Sequence, residues 1–371
     1  MEDQNDDLLP ADALRQRRSS DLRLDLSALA VRGDPQLQHR DGSVLRCAAC
    51  AHRCVLSDGR AGACGVREGR EGDVFVPHGY IARRYVRAVE TNTVYHVEPG
   101  SKSLTFGMYG CDLRCPYCHN WRLSQALRED VAGEAPIPMT PAALVDEALA
   151  AGCRVMCAAY NEPMIAAEWV RAVFTEAKGR GLLTMVVSDG NTTPEALAYL
   201  RPVTDVFRVD LKGFAPEHYK ALGGRLEPVL LAIAEARRLG YWVEVVTLVV
   251  PGFNDDGPGL RGLAKKLVAI DPALPWHLNA FQPRYKMKDR PAMHPELLVS
   301  VAGSAYARGM QFVYVGNVTG TFQELEHTRC PACHANVVER ENFTTTALRL
   351  RGEACAACGQ RIPGIFAAQP D

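Results

Sequence analysis

The sequence predicts an α/β protein: a partial (β/α)6 barrel carrying an N-terminal four-cysteine metal knuckle and a C-terminal zinc-ribbon-like module. Three observations carry this reading. From Ser103 to Val318 short β-rich runs alternate with helical stretches, the pattern of a parallel sheet covered by helices. Roughly six or seven such units suit an open barrel better than a closed eightfold one. The thirteen cysteines are clustered, four between Cys47 and Cys64 and four in the pairs Cys330/Cys333 and Cys355/Cys358.

At 371 residues, 47% hydrophobic and 23% charged, the chain is long enough for roughly two domains. A formal net charge of -1 gives no global field for nucleic acid or an anionic membrane, and neither is expected as a partner. No stretch approaches the ~18 apolar residues of a membrane span. Residues 1–24 are polar and charged, without the apolar core of a secretory signal, and no apolar run follows Arg17-Arg18. A reducing, cytoplasmic setting is therefore expected, where clustered cysteines serve metals or catalysis rather than disulfides.

Residues 1–42 read as a polar tail with one amphipathic piece at 22–31. Residues 43–102 hold the knuckle, Cys47, Cys50, Cys54 and Cys64, with turn-permitting Gly59, Gly62 and Gly65. Four sulfurs suit zinc and iron–sulfur alike, and both stay open. Short extended connectors at 74–76 and 83–89 follow, closed by Pro99-Gly100. Within 103–318, strands are expected at 104–108, 155–159, 183–187, 206–209, 242–250, 276–281 and 312–315. Helices are expected at 142–151, 165–180, 194–200, 228–239, 260–270 and 295–308. Thr140-Pro141 opens the first, and Gly181, Gly240 and Gly309 close three of the others. Residues 326–366 form the last module, with hairpin strands at 335–339 and 343–350 between its cysteine pairs. A metal there supplies the stability so small a unit lacks, and the module reads as a staple or a substrate lid.

The loop expected after the first barrel strand, Gly110 to Trp121, holds Cys111, Cys115 and Cys118 in a C-x3-C-x2-C pattern. A [4Fe–4S] cluster usually takes four thiolates, so three nearby ones suggest a cluster with one iron open to a substrate or cofactor. Tyr117 stands beside the last thiol to cover one face. A zinc site needs a fourth ligand such as His119. Barrel enzymes place reactive groups after their strands, and polar groups recur at those places. They are Tyr160-Asn161-Glu162-Pro163, Ser188-Asp189-Gly190-Asn191 and Asp210-Leu211-Lys212, with His277 on the sixth strand. Each has a structural alternative: a glutamate at a helix start, an Asp-Gly turn, a strand-end ion pair, a core histidine. Cys153 and Cys157 read as small core hydrophobes; the alternative is a substrate-facing hydrogen donor or an auxiliary ligand.

The C-x3-C-x-aromatic-C pattern resembles the signature of the radical S-adenosylmethionine (SAM) enzymes. Tyr117-Cys118-His119-Asn120 and Asp210-Leu211-Lys212 resemble their pyruvate formate-lyase activating branch. Glu244 to Pro251, Pro275-Trp276-His277, Val315-Gly316-Asn317 and the terminal cysteine pairs are similar to the AmmeMemoRadiSam-system radical SAM proteins, across residues 47–364. The resemblance implies a [4Fe–4S] cluster on Cys111, Cys115 and Cys118, with the amino and carboxylate groups of SAM on the open iron. It implies SAM contacts from Tyr117, Asn161, Glu162, Ser188, Asp189, Asp210 and Lys212, and catalytic roles for His277, Asp210 and Lys212. Tyr160-Asn161 departs from the family's glycine pair, Thr93-Val94 from its proline-leucine pair, and Ser188-Asp189-Gly190 from its asparagine-glycine.

The function so implied is reductive cleavage of SAM to a 5′-deoxyadenosyl radical that abstracts hydrogen from a substrate. That substrate is either a glycyl residue of a partner protein or a small molecule or peptide. Residues 122–150 contain no cysteine, which argues against the activators with a ferredoxin-like insert. Expected partners are SAM and a one-electron donor such as a ferredoxin or flavodoxin. Zinc is expected in the terminal module, and zinc or an auxiliary iron–sulfur cluster in the knuckle. The competing expectation is a non-catalytic binding module stapled by zinc throughout.

Overall fold

Seven parallel strands, taken in chain order, make the frame of the molecule. They are Lys102–Gly107, Val155–Ala158, Leu183–Ser188, Val206–Asp210, Trp242–Val249, Trp276–Ala280 and Val313–Gly316. This is a computed structural model, and it describes residues 18–129, 134–318 and 320–366. Arg83–Ala88 adds an eighth, antiparallel strand beside Lys102–Gly107. The sequence suggests only an extended connector there, because its pairing partner declares itself only in three dimensions. The two outer strands each bond a single neighbour, so the sheet is open.

Alternation of side chains gives the sheet two unlike faces. Phe106, Val186, Phe207, Val243, Val245, Trp276 and Leu278 are buried in the main core. Arg208, Asp210, Glu244, His277 and Asn279 share the opposite face, as the register Arg208↔Glu244, Asp210↔Val246 and Val246↔His277 requires. The helices between strands start where capping chemistry places them. Thr140, Thr193 and Asp256 accept from the backbone N–H groups of Ala143, Ala196 and Gly259, each followed by proline in the first turn. The helix expected at 165–180 begins instead as a 3-10 turn, Pro163–Ala166, and continues as Ala167–Gly179. A further helix, Pro216–Leu222, was not legible in the sequence.

The concave face is plugged at its lower end. Val89, Val94 and Val97 pack on Val155, Cys157, Met185 and Val206, and Ile365 bridges to Val97. Glu244 holds this plug by its backbone, accepting from Tyr95 N at 3.0 Å and His96 N at 2.9 Å.

Residues 18–42 differ from the expected polar tail. Ser19–Ala28 is a helix whose Leu22 and Leu26 are buried one turn apart, and Leu37 is buried as well. Residues 1–17, the rest of that expectation, lie outside the described residues. The C-terminal hairpin pairs Asn336–Glu341 with Thr344–Leu348, close to the expected strands. Among the described residues no helix is long and apolar enough to cross a membrane.

Candidate functional site

A cavity of about 1190 Å³ opens at the C-terminal ends of the parallel strands. Cys111, Cys115, Cys118 and Tyr117 line it from the loop after Lys102–Gly107; Asn161, Glu162, Asp189, Asp210 and Lys212 line it from later loops and strand ends. Most of the residues expected at the site are thus brought together. Ser188 and His277 are the exceptions.

The loop carrying the three thiols is fixed from both sides. Gly110 sits at φ +95°, where an added Cβ would lie 2.9 Å from the Cys64 carbonyl oxygen. Arg128 donates to the carbonyls of Leu113 at 3.0 Å, Cys111 at 2.7 Å and Ala63 at 2.5 Å, tying the knuckle to the loop. Burial pushes the Cys115 thiol up to about 12, and the Lys212 ammonium opposes this.

Glu162 has both oxygens engaged by the protein. It accepts from Met164 N at 2.9 Å, from the Ser188 hydroxyl at 2.9 Å and from Asp189 N at 2.7 Å. It therefore caps the 3-10 turn and fixes the next loop, while Ser188 sits behind it and also accepts from Gly190 N. Gly190 takes φ +78°, and a Cβ there would meet Val229 at 2.7 Å. Asn161 accepts from Met108 N at 3.0 Å. Tyr160 adopts φ +73°. The backbone keeps a conformation natural to glycine although the glycine pair is replaced.

Three carboxyl groups crowd the thiols. Burial, then mutual repulsion, raises Glu162, Asp189 and Asp112, the last to about 6. Asn191 Nδ2 donates to Asp112 at 2.7 Å, and His52 Nε2 lies 3.9 Å from the same carboxylate. Asp210 has the opposite character. Burial would raise it, but Arg208 and Lys212 hold it below the usual carboxylate range. The Lys212 ammonium lies 2.8 Å from Asp210, and Arg208 bonds its other oxygen.

His277, expected among the catalytic groups, is not in the cavity wall. Its Nε2–H donates to Glu244 at 2.7 Å, and its ring packs with Tyr95 and Tyr314 in a three-ring cluster. Burial lowers its pKa, and the Glu244 carboxylate opposes this. Cys153 and Cys157 are buried in the core and line no part of the cavity. Sequence reasoning missed Arg208, Asn279, Glu326, Asn342 and Phe343, all lining residues. Arg208 was findable, since it precedes Asp210 by two and shares its face; the C-terminal residues carried no local signal.

The cysteine clusters differ in spacing. Cys330 and Cys358 sulfurs lie 3.6 Å apart, Cys333 and Cys355 3.7 Å, and all four converge within 4.8 Å. A single tetrahedral ion with sulfurs at about 2.3 Å spaces them similarly. Among the described residues the other such group is Cys111, Asp112 and Asp189. Cys111, Cys115 and Cys118 are spread more widely than one ion requires. A cluster that binds each thiolate at a different iron suits that spread. Cys47, Cys50, Cys54 and Cys64 form no such group either, and pack beside the 189–193 loop through the Cys50↔Thr192 bridge.

The protein-family model of the radical SAM superfamily matches residues 106–259, the span holding the three thiols, Glu162, Asp189, Asp210 and Lys212. The chain is 31% identical over 326 residues to an uncharacterized protein of Methanocaldococcus jannaschii, covering 87% of this chain and 96% of that one. It is 27% identical over 198 residues to the pyruvate formate-lyase-activating enzyme of Staphylococcus aureus, covering 48% and 76%. Similar solved structures include Streptococcus suis SuiB, at TM-score 0.44 and 10% identity over 62% of this chain and 52% of that one. Escherichia coli QueE gives 0.41 and 13% over 64% and 93%.

Proposed function

The chain belongs to the radical SAM superfamily, and from that premise we propose that it is an enzyme that cleaves SAM reductively within a partial barrel. One observation carries the reading: three thiols and the polar groups from the next three strand ends line a single cavity. Cys111, Cys115 and Cys118 hold a [4Fe–4S] cluster. When bound, cluster and SAM supply an electron and a 5′-deoxyadenosyl radical, which takes hydrogen from the substrate. The chain's own residues bind, orient and shield. Glu162 does so indirectly, by fixing the loop that presents Asp189. The excess of carboxyl groups at Asp112, Asp189 and Glu162 suits the ammonium and sulfonium charges of SAM, and Lys212 suits its carboxylate. Tyr117 offers a buried hydroxyl beside the Cys115 thiol. Asp210 keeps Lys212 charged and in place.

The four C-terminal cysteines hold zinc, a reading supported by the short sulfur spacings. The knuckle holds zinc or an auxiliary iron–sulfur cluster. The electron comes from a ferredoxin or flavodoxin. The substrate is a small molecule, a peptide or a glycyl loop of a partner protein. The test is anaerobic reconstitution followed by dithionite and SAM. The parent forms 5′-deoxyadenosine and Cys115→Ala does not. Zinc without about one cluster of iron per chain, and no nucleoside product, would instead establish a zinc-stapled binding module.

A further inference from the structure

The C-terminal module does more than close its own metal site. Glu341 pairs with Thr344, so the hairpin turn is two residues long, Asn342 and Phe343. Such a turn needs positive φ at both positions, and glycine is the usual second residue. Here Asn342 stands at +50° and Phe343 at +65°. Asparagine tolerates this conformation; a bulky aromatic residue is strained in it. Both residues line the cavity.

The strained tip is clamped. The backbone N–H groups of Phe343 and Asn342 donate to the carboxylate of Glu326, which is buried. Behind the tip, Arg340 donates to the Tyr95 carbonyl at 2.6 Å and the Thr328 hydroxyl at 2.9 Å. The hairpin is thereby moored to the plug at the foot of the sheet. Tyr160, which also lines the cavity, repeats the departure as an aromatic residue at φ +73°. Of the ten described non-glycine residues with positive φ, five line this one cavity. Strain of this kind persists where the side chain serves a purpose that glycine does not.

We propose that Phe343 is a specificity-determining residue: the C-terminal module supplies one wall of the substrate cavity, and its turn keeps an aromatic ring there to meet the substrate. The ring selects a substrate bringing an apolar or planar face to this end of the cavity. The proposal rests on the catalytic reading above. It makes the terminal metal site part of substrate recognition, because the metal holds the strands that carry the turn.

The test uses the reconstituted full chain with Phe343→Gly and Phe343→Leu. Glycine relieves the strain but gives up the ring's packing on the cluster of Tyr95, Phe312 and Tyr314, so Phe343→Leu, which keeps apolar bulk, is the control for folding. Removing the wall also admits water and weakens exclusion of side reactions. Substrate-free formation of 5′-deoxyadenosine therefore rises several-fold in Phe343→Gly and returns to the parent rate in Phe343→Leu. Nucleoside formation that rises as much in Phe343→Leu as in Phe343→Gly overturns the proposal, since disturbance of the module rather than loss of the ring then admits water. Equal nucleoside formation by parent and Phe343→Gly overturns it too. A parent that forms no nucleoside overturns the catalytic reading itself.

Discussion

Replacing Glu244 by glutamine tests whether the lower tier of the concave face is structural. The carboxylate accepts four hydrogen bonds, from Tyr95 N at 3.0 Å, His96 N at 2.9 Å, Trp242 Nε1 at 3.0 Å and His277 Nε2 at 2.7 Å. Burial would raise its pKa, but His277 and the other donors hold it at about 2. In Glu244→Gln one oxygen becomes an NH2 group. The least costly arrangement turns that group toward His277, which accepts after switching tautomer, and leaves Tyr95 N–H unpaired. An unpaired buried donor costs about 1–3 kcal/mol, and losing the charge on the retained bonds costs about 1 kcal/mol each. The expected loss is about 4 kcal/mol, read from urea midpoints at unchanged slope. The pH dependence supplies a second reading. A carboxyl held at about 2, against 4.5 ordinarily, stabilises the fold above pH 4.5 and loses that contribution as pH falls toward 2. That is about 3 kcal/mol at 1.36 kcal/mol per unit. The gap between parent and variant therefore narrows across this window. A loss below about 1 kcal/mol at neutral pH, or a gap that widens on acidification, refutes the structural role.

Three further outcomes follow from the same geometry. Asp210→Asn leaves Arg208 and Lys212 buried without a counter-charge, and unfolding measurements should show a loss of about 3–5 kcal/mol; the double variant Asp210→Asn, Arg208→Met should recover part of it. Cys358→Ser should remove about one bound metal ion per chain by elemental analysis and lower the melting temperature, while far-UV circular dichroism retains the helical signal of the main sheet's helices. Arg128→Ala removes donors to the carbonyls of Ala63, Cys111 and Leu113, so amide exchange should quicken at 63–65 and 111–113 and iron retention should fall.

The legible parts of the fold are those written in local pattern. Alternation and capping residues placed the seven parallel strands and most helices within a few residues, because both signals act over one turn or one strand. The thiol loop and the acidic loops were legible for the same reason: each follows a strand. What alternation cannot give is height within the sheet. His277 and Asn279 share a face, yet Asn279 lines the cavity and His277 lies a tier lower against Glu244. Nor does sequence show what a side chain's other oxygen is doing. Glu162 was expected to meet the ammonium group of SAM, but both its oxygens are engaged by the protein, and its partners Ser188 and Asp189 come from a different loop. The wall formed by Glu326, Asn342 and Phe343 arrives more than a hundred residues after Lys212, and no local pattern announces it.

The two tiers of charge on the concave face have opposite requirements. Buried polar groups are normally paired, so an unpaired one marks a place where something else belongs. In the lower tier every carboxylate oxygen of Glu244 is engaged by the chain itself. His277 keeps one unpaired nitrogen, but the residue packs with Tyr95 and Tyr314 and does not line the cavity. Toward the cavity, Asn279 Oδ1 and Arg208 Nε are buried and unpaired and both residues line it, although Arg208 stands opposite Glu244 in the register. Full engagement of Glu244 gives the plug a fixed floor, while the unpaired groups at the cavity are available to a ligand. The distinction sets Asn279 and Arg208 apart from Glu244; Asp210, whose two oxygens are taken by Lys212 and Arg208, differs from His277 in lining the cavity, although both stand on one face of the sheet.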